Sequence, residues 1–198
     1  MKRLVVALVT LFPACTQPPP STTAVTLTSA DSAAALTQGG AIATAVAQGL
    51  AQRLQAQLKE QGAVGAVDFC SRTALVLTDS LIADKPGVSV KRTSTRIRNP
   101  RNEPDEHEQI ALAWFDSARS AGGVLPAAYI QAVGPDELRF YRPLMIAAFC
   151  TQCHGPTEEL DPRVRQILEE RYPTDRATGY QEGDLRGVIR VSLPRANR

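Results

Sequence analysis

Several residue types are scarce in this sequence, and each scarcity argues against a class of protein. Of its 198 residues, only 5% are aromatic, two are histidine and two are methionine. No apolar run reaches the roughly 20 residues that span a bilayer, so a transmembrane helix is not expected. Lys and Arg exceed Asp and Glu by 22 − 20 = 2, a balance that argues against nucleic acid as a partner. The apolar content of 43% is ordinary for a globular chain, so the placement of the four cysteines becomes the main source of information.

The N-terminus has the layout of an export signal. Lys2 and Arg3 precede an apolar stretch over residues 4–12, which is short for a membrane span and typical of a signal-peptide core. The following Ala14-Cys15 resembles the lipobox of bacterial lipoproteins, in which the cysteine becomes the first mature residue and carries lipid. We predict a signal peptide over 1–14, lipidation at Cys15 and an extracytoplasmic, periplasmic protein anchored to the membrane through that lipid. A plain signal peptide cleaved nearby and a cytoplasmic protein are the alternatives.

The mature chain divides into a tether, one domain and a short tail. Residues 16–32 are rich in Pro, Ser and Thr, so 15–32 is predicted to be a lipidated N-terminus followed by a flexible tether. A domain over 33–194 and a tail over 195–198 complete the division. Apolar residues recur every four positions over 42–58, which predicts a long helix that Gly62 and Gly65 interrupt. A second helix is predicted over 64–82, with this apolar face: Val67, Cys70, Ala74, Leu77 and Leu81.

The second half of the domain mixes strands and helices. Strands are predicted over 88–97, 138–149 and 185–193, and a short helix over 161–171. Asp105 and Glu108 have the spacing of a capping box. They predict a helix whose buried face carries Ile110, Trp114 and Ala118. Together these elements predict an α+β fold, with helices packed on one antiparallel sheet whose strand order the pattern does not reveal.

Residues 150–154, Cys-Thr-Gln-Cys-His, form the C-x-x-C-H pattern of c-type heme attachment. Two thiols three residues apart lie on one side of a helical turn, where they can add to the two vinyl groups of a porphyrin. The adjacent His154 then faces the iron as the proximal ligand. Three alternatives use the same cysteines: a thioredoxin-like redox pair, half of a zinc site and a structural disulfide. We predict covalent heme at Cys150 and Cys153.

Residue type alone does not identify the second axial ligand of such an iron. Common protein ligands are Met, His or Cys, which leaves Met145, His107 and Cys70 beside an open or water-bound site. Met145 is five residues before the first heme cysteine, on the predicted strand that leads into it, and reaching the opposite porphyrin face from there is awkward. His107 lies in an acidic helix start. Cys70 lacks a disulfide partner, although a small buried apolar residue is an equally ordinary role for it.

Four stretches of the chain together resemble a known family. These are 66–71 (AVDFCS), 91–105 (KRTS through RNPRNEPD), 149–155 (FCTQCHG) and 179–187 (GY through GDLRG) leading into the last strand. They are similar to PAS-like domains with a single c-type heme, found as periplasmic sensor modules of bacteria and as stand-alone cyanobacterial-type cytochromes with Cys/His axial ligands. The resemblance implies a PAS-like antiparallel sheet with flanking helices, preceded by a long helix or helical pair. It also implies that His154 is the proximal ligand and Cys70 the distal one.

The basic cluster over 91–101 also has two interpretations. A solvated strand face explains most exposed Lys and Arg residues. Heme propionates, in contrast, favour arginine partners. We assign Arg92 and Arg98 to the propionates, because both lie within the family-like stretch.

The predicted function is that of a mono-heme cytochrome which senses redox state or a gas, CO or NO, outside the cytoplasm, together with a redox or signalling protein partner. A low-potential electron carrier is the alternative. An enzyme is not expected, since no distal acid/base pair is evident.

Overall fold

The computed structural model describes residues 26–72 and 74–195. Over this part, the helices in chain order are α1 Ser29–Ala34, a π-helical turn Ala35–Gly39, α2 Gly40–Arg72, α3 Ala74–Ser80, α4 Glu106–Ser120, α5 Thr151–His154 and α6 Pro162–Arg171. The strands are β1 Ser89–Thr93, β2 Tyr129–Val133, β3 Glu137–Met145 and β4 Leu185–Pro194. No helix within the described ranges is both long and apolar enough to cross a membrane.

The four strands of the described part form one antiparallel sheet in the order β1-β4-β3-β2. The predicted antiparallel sheet with flanking helices is confirmed. The strand β2 was not predicted, and two strands end earlier than expected. Strand β1 ends at Thr93 and β3 ends at Met145, while Ala148–Cys150 is a turn of 3-10 helix. The C-x-x-C-H motif therefore begins on a helical turn, which also takes in residues 148 and 149 of the predicted strand.

The N-terminal helices cover one face of the sheet. Alternate residues of the two central strands point to this face, since side chains of a strand alternate between faces. They form a core with α2 and the π-helical turn, whose fully buried members are Ala35, Ala43, Val46, Leu138, Phe140, Ile189, Val191 and Leu193. Val46 of the predicted apolar stripe is buried in this core, and Ile42 and Leu50 pack against it, so the first half of the stripe faces the sheet.

Helix α4 covers the opposite face, but not with the predicted residues. Ile110 is 51% exposed and Trp114 is 37% exposed, so the predicted buried face was wrong. The buried positions are Glu108, Ala111, Leu112 and Phe115. Helix α4 has apolar residues on two faces. The face that packs on the sheet is the one that also carries a buried carboxylate.

That carboxylate is Glu108, which is fully buried and paired. It accepts from Lys91 Nζ at 2.7 Å and from Arg190 Nε at 3.1 Å, and its Oε2 also accepts from the Asp105 backbone N–H at 2.9 Å. The predicted capping box is confirmed, because the Asp105 side chain caps the Glu108 backbone N–H in return. Two cations from the sheet thus fix which side of α4 faces inward.

A bend at Gly62 divides α2. Its backbone has φ 66° and ψ −170°, a region that is essentially restricted to glycine. The interruption predicted at Gly62 is confirmed, whereas Gly65 stays within the helix. Beyond the bend, Val67 packs on α6 and against Cys153 of the motif. The bend therefore allows one helix to serve both the sheet and the motif.

An ion pair joins the first helix to the residue that follows the last strand. Helix α1 begins at Ser29 behind a Thr28 capping box, within the stretch predicted as a tether. Arg195, the first residue of the predicted tail, binds Asp31 from Nη2 at 2.5 Å. Both residues therefore belong to the folded unit. The predicted signal peptide, Cys15 and residues 196–198 lie outside the described residues.

Candidate heme site

The two motif cysteines lie on consecutive helical turns. Cys150 ends the 3-10 turn and its backbone N–H donates to the Ala147 carbonyl at 2.8 Å, while Cys153 belongs to α5. Both are half-buried free thiols. Burial raises the pKa of Cys153 to about 11, so without a reaction partner it remains a neutral thiol. The structure thus presents two protonated thiols on one short helical segment.

His154 is held in a defined tautomer. Its Nδ1 lies 2.6 Å from the backbone carbonyl of Ala177. A carbonyl only accepts, so Nδ1 carries the proton and Nε2 keeps its lone pair. Burial, with the charges of Arg98 and Arg186 adding to it, lowers the pKa of His154 well below its usual value. A neutral imidazole whose second nitrogen is anchored to a carbonyl is the usual form of a metal-binding histidine.

The loop over 175–180 provides this anchor. The Gly179 backbone N–H donates to the Gly155 carbonyl at 2.7 Å, and the Tyr180 N–H donates to the His154 carbonyl at 2.9 Å. Gly179 has φ 73°, and a Cβ there would lie 3.3 Å from Nη2 of Arg96. The loop therefore runs along the motif and fixes the Ala177 carbonyl opposite the imidazole.

Tyr180 packs beside His154. Its ring meets His154 edge-on, with the ring centroids 6.4 Å apart. The Arg96 guanidinium carbon lies 4.0 Å from the Tyr180 ring centroid and that of Arg186 lies 5.4 Å from it. Contacts of this kind are cation–π interactions, so two cations flank the tyrosine that packs on the imidazole.

Arg98 is engaged by protein groups. It forms an ion pair with Asp175 and donates to the Cys153 carbonyl at 2.7 Å. The propionate role assigned to Arg98 stays a prediction, and this structure gives the side chain a different set of partners.

Arg92 differs from its neighbours. Within residues 26–72 and 74–195, its side chain makes no hydrogen bond and no ion pair. Burial lowers its pKa, and Cys70 and Tyr172 are the groups that act in the opposite direction. An arginine does not lose its proton in proteins, so Arg92 is a desolvated positive charge that the described residues leave without an anionic partner. This arrangement suits a carboxylate ligand.

Cys70 lies near the end of α2 and is exposed, not packed into the predicted apolar face. It is close enough to Arg92, Arg98 and Cys150 to interact with them electrostatically. Desolvation by the surrounding protein raises the pKa of its thiol even though its surface is accessible, because an accessible atom still has protein on most sides. The fold therefore brings Cys70 to the motif from a distant part of the sequence.

The other two candidate ligands lie at the end of β3 and at the start of α4. Met145 ends β3 beside a register shift and is 44% exposed. His107 lies in the first turn of α4, and its buried Nδ1 has no hydrogen-bond partner among the described residues. Neither α4 nor Met145 contributes to the core cluster that joins α2, α6 and Cys153. Ile146, which follows Met145, packs with Tyr180 and against Cys150.

Two of the three alternatives for the motif cysteines, the zinc site and the structural disulfide, receive no support from the described residues. Over the described part of the chain, no group of three or more His, Cys, Asp or Glu side chains is arranged to hold a metal ion, as a zinc site would need. Cys70, Cys150 and Cys153 are free, so none forms a structural disulfide here.

Sequence reasoning missed several residues of the site. The Ala177 carbonyl has no signature in the sequence, because every residue carries one. Asp175 precedes it in a loop without a recognisable pattern. Arg186 lies within the family-like stretch over 179–187, and its place in that stretch is the one sequence feature that could have pointed to it.

A known family and a solved structure resemble this chain. A family model described as Tll0287-like matches residues 24–194. The chain belongs to this family. The crystal structure of the cyanobacterial heme-protein Tll0287 matches with a TM-score of 0.58 at 22% sequence identity, over 87% of this chain and 99% of that chain. The likeness confirms the PAS-like fold. A comparison with curated proteins found no match.

Proposed function

We propose that this member of the Tll0287-like family is a mono-heme c-type cytochrome. Cys150 and Cys153 hold the heme covalently, His154 is the proximal ligand and Cys70 the distal one. The observation that carries the proposal is the His154 tautomer, in which Nδ1 donates to the Ala177 carbonyl and leaves Nε2 unprotonated beside two free thiols. The family match supports it, since the solved relative is a heme protein.

The residues present fit a heme group. Two thiols one helical turn apart suit the two vinyl groups, and the anchored imidazole suits the iron. Arg92 offers a guanidinium, unpaired among the described residues, of the kind that binds a carboxylate. When bound, the heme supplies an iron that exchanges one electron and binds small gases.

Cys70 is proposed as the distal ligand because a core-packing role does not explain it. A buried structural cysteine is inert and enclosed, whereas Cys70 is exposed next to Cys150, Arg92 and Arg98. A coordinating thiol is deprotonated by the metal. The raised pKa of the free Cys70 thiol therefore favours its protonation whenever it leaves the metal.

This property supports a sensing role. A protonated Cys70 would leave a coordination position for CO or NO, and the segment of α2 beyond Gly62 is the part that carries Cys70. Two arrangements of one element with different affinity for a ligand form a switch. We propose that the protein senses redox state or such a gas and signals to a protein partner.

Electron transfer is the second candidate function, because anionic ligation gives a low potential, which suits a carrier. Absorption spectra of the ferric and the dithionite-reduced protein, each with and without CO, separate the two. A sensor loses Cys70 ligation on reduction and then binds CO. A carrier keeps the same six-coordinate spectrum type in both states and does not bind CO, which would contradict the sensing proposal.

We further propose an extracytoplasmic, periplasmic location with a lipid on Cys15, supported by the apolar stretch over 4–12 and by Ala14-Cys15. Metabolic labelling with palmitate should mark the wild type and not Cys15→Ala. Unlabelled wild-type protein in the soluble fraction would contradict the lipid anchor. No enzymatic activity is proposed.

A further inference from the structure

A largely buried ion pair lies next to the proposed proximal ligand. Arg98 Nε and Asp175 Oδ2 are 2.8 Å apart, and the two side chains are only 13% and 11% exposed. Exposed ion pairs contribute little to stability, whereas a pair removed from water needs its remaining polar groups to be bonded as well. The other partners of Arg98 and Asp175 therefore indicate what the pair does.

The second arm of the Arg98 guanidinium reaches two backbone carbonyls. Its Nη2 donates to the Cys153 carbonyl at 2.7 Å and lies 3.4 Å from the Ala177 carbonyl. The Ala177 carbonyl is the same group that accepts from His154 Nδ1. Arginine has five donors in a planar fork and can serve these partners together, which a lysine ammonium cannot do with the same geometry.

Asp175 binds the backbone N–H of the same residue, Ala177, whose carbonyl accepts from His154. Its Oδ1 accepts from the Ala177 backbone N–H at 2.7 Å while its Oδ2 binds Arg98. One carboxylate thus holds both the guanidinium and the residue that orients His154. The pair contacts the Cys153 carbonyl, next to His154, and both backbone groups of Ala177. Its loss would therefore change the direction of the hydrogen bond from His154 to Ala177.

We infer that Arg98 and Asp175 are a positioning pair for His154, and that Arg98 orients the proximal histidine instead of binding a propionate. This inference rests on the proposed heme attachment. The hydrogen bond from the second nitrogen of a metal-binding histidine sets its ring orientation and its basicity. Arg92, which has no protein partner among the described residues, is left as the propionate-binding arginine.

The test uses the ferric, heme-loaded protein and three variants: Arg98→Met, Asp175→Asn and their combination. Proton NMR of the heme methyl groups reports the orientation of the imidazole plane, which a general loss of stability does not change. We expect both single variants to displace the heme methyl resonances in the same pattern. The double variant should add no further displacement, because residues that act as a unit are not additive. Arg119→Met is the matched control, since it removes a guanidinium from an exposed ion pair with Asp184 and should give the wild-type spectrum.

Wild-type methyl resonances in both single variants would overturn the inference. A second contrary result is a changed midpoint potential with unchanged methyl resonances in Asp175→Asn, which would indicate that Arg98 acts on a propionate. If Arg98→Met does not fold, Arg98→Lys takes its place: it keeps the charge, loses the fork and should show the same displacement, whereas a wild-type pattern contradicts us. Absence of covalent heme from the wild type is visible in its mass and would refute the proposed function separately.

Discussion

In the basic cluster over 91–101, three side chains have protein partners, Arg101 is exposed, and Arg92 is desolvated. Lys91 neutralises Glu108, Arg96 lies over Tyr180 and Arg98 pairs with Asp175. Arg92 alone among these four lacks such a partner within the described residues. A desolvated charge of this kind is costly unless an anion joins it, so its partner is expected to be the ligand.

Arg92→Met should lower the reduction midpoint potential of the heme-loaded protein. A positive charge near the iron favours the reduced state, and its removal also leaves a propionate without its partner. Coulomb's law at an effective dielectric of about 20 gives about 1–2 kcal/mol for a charge roughly 10 Å away. Potentiometric titration measures the shift. Arg101→Met, an exposed member of the same cluster, is the control. Equal shifts in the two variants would contradict a specific role for Arg92.

Cys70→Ser should change the ferric spectrum and raise the midpoint potential. An anionic ligand stabilises ferric iron, so its loss favours reduction. Electron paramagnetic resonance should show low-spin iron with a thiolate ligand in the wild type, and high-spin iron or a substitute ligand in the variant. Covalent heme should remain, because Cys150, Cys153 and His154 are unchanged.

Met145→Leu is the matched control for that substitution. Met145 is one of the alternative ligands, and it lies at the end of β3 with 44% exposure. We expect the ferric spectrum of Met145→Leu to equal that of the wild type. A changed spectrum in Met145→Leu together with an unchanged one in Cys70→Ser would reverse the ligand assignment.

Among the elements, α4 and α2 show how polar and backbone groups direct packing. Helix α4 buries the face that contains Glu108 and exposes Ile110, because Lys91 and Arg190 of the sheet form ion pairs with the Glu108 carboxylate. Helix α2 reaches both the sheet and the motif only because Gly62 bends it.

Glu108→Gln should destabilise the protein by about 3 kcal/mol, because removing one partner of a buried ion pair leaves the other charges unpaired. Urea unfolding monitored by circular dichroism measures this free energy. Glu106→Gln changes an exposed residue of the same helical turn and should cost less than about 0.5 kcal/mol. Equal stability of the two variants would contradict the role given to Glu108.

Gly62→Ala should cost about 1–3 kcal/mol through the backbone alone, since its φ and ψ lie in a region that disfavours side chains. An added Cβ meets nothing within 4 Å, so no clash contributes. Gly123 offers the control: its Cβ would also meet nothing, and its φ is not positive. Thermal unfolding of Gly62→Ala and Gly123→Ala provides the comparison, and equal melting temperatures would show that the bend is not strained.

At the scale of the whole molecule, the site is assembled from segments that are distant in the chain. The end of α2, the start of the loop after β1, the motif at 150–154 and the loop at 175–180 all converge there. Local signals predicted the parts that are local, namely the capping box at Asp105 and Glu108 and the C-x-x-C-H motif.

Other features needed the three-dimensional structure for physical reasons. Strand β2 is half-buried at every position, so it shows none of the alternation that reveals a strand. The buried face of α4 depends on cations from other strands. The partners of Arg98 include backbone carbonyls, which all residues share, and its ion-pair partner is 77 positions away. Periodicity cannot reveal such contacts.

The most direct test of the central claim is the intact mass of the denatured protein after expression with the cytochrome c maturation apparatus. Comparison with a Cys150→Ala/Cys153→Ala variant bearing the same N-terminus removes the effect of processing. Our account predicts that the wild type retains the mass of one heme and that the variant, allowing for its two substitutions, has the mass of the apoprotein. A wild-type mass equal to that of the apoprotein would contradict covalent attachment at Cys150 and Cys153.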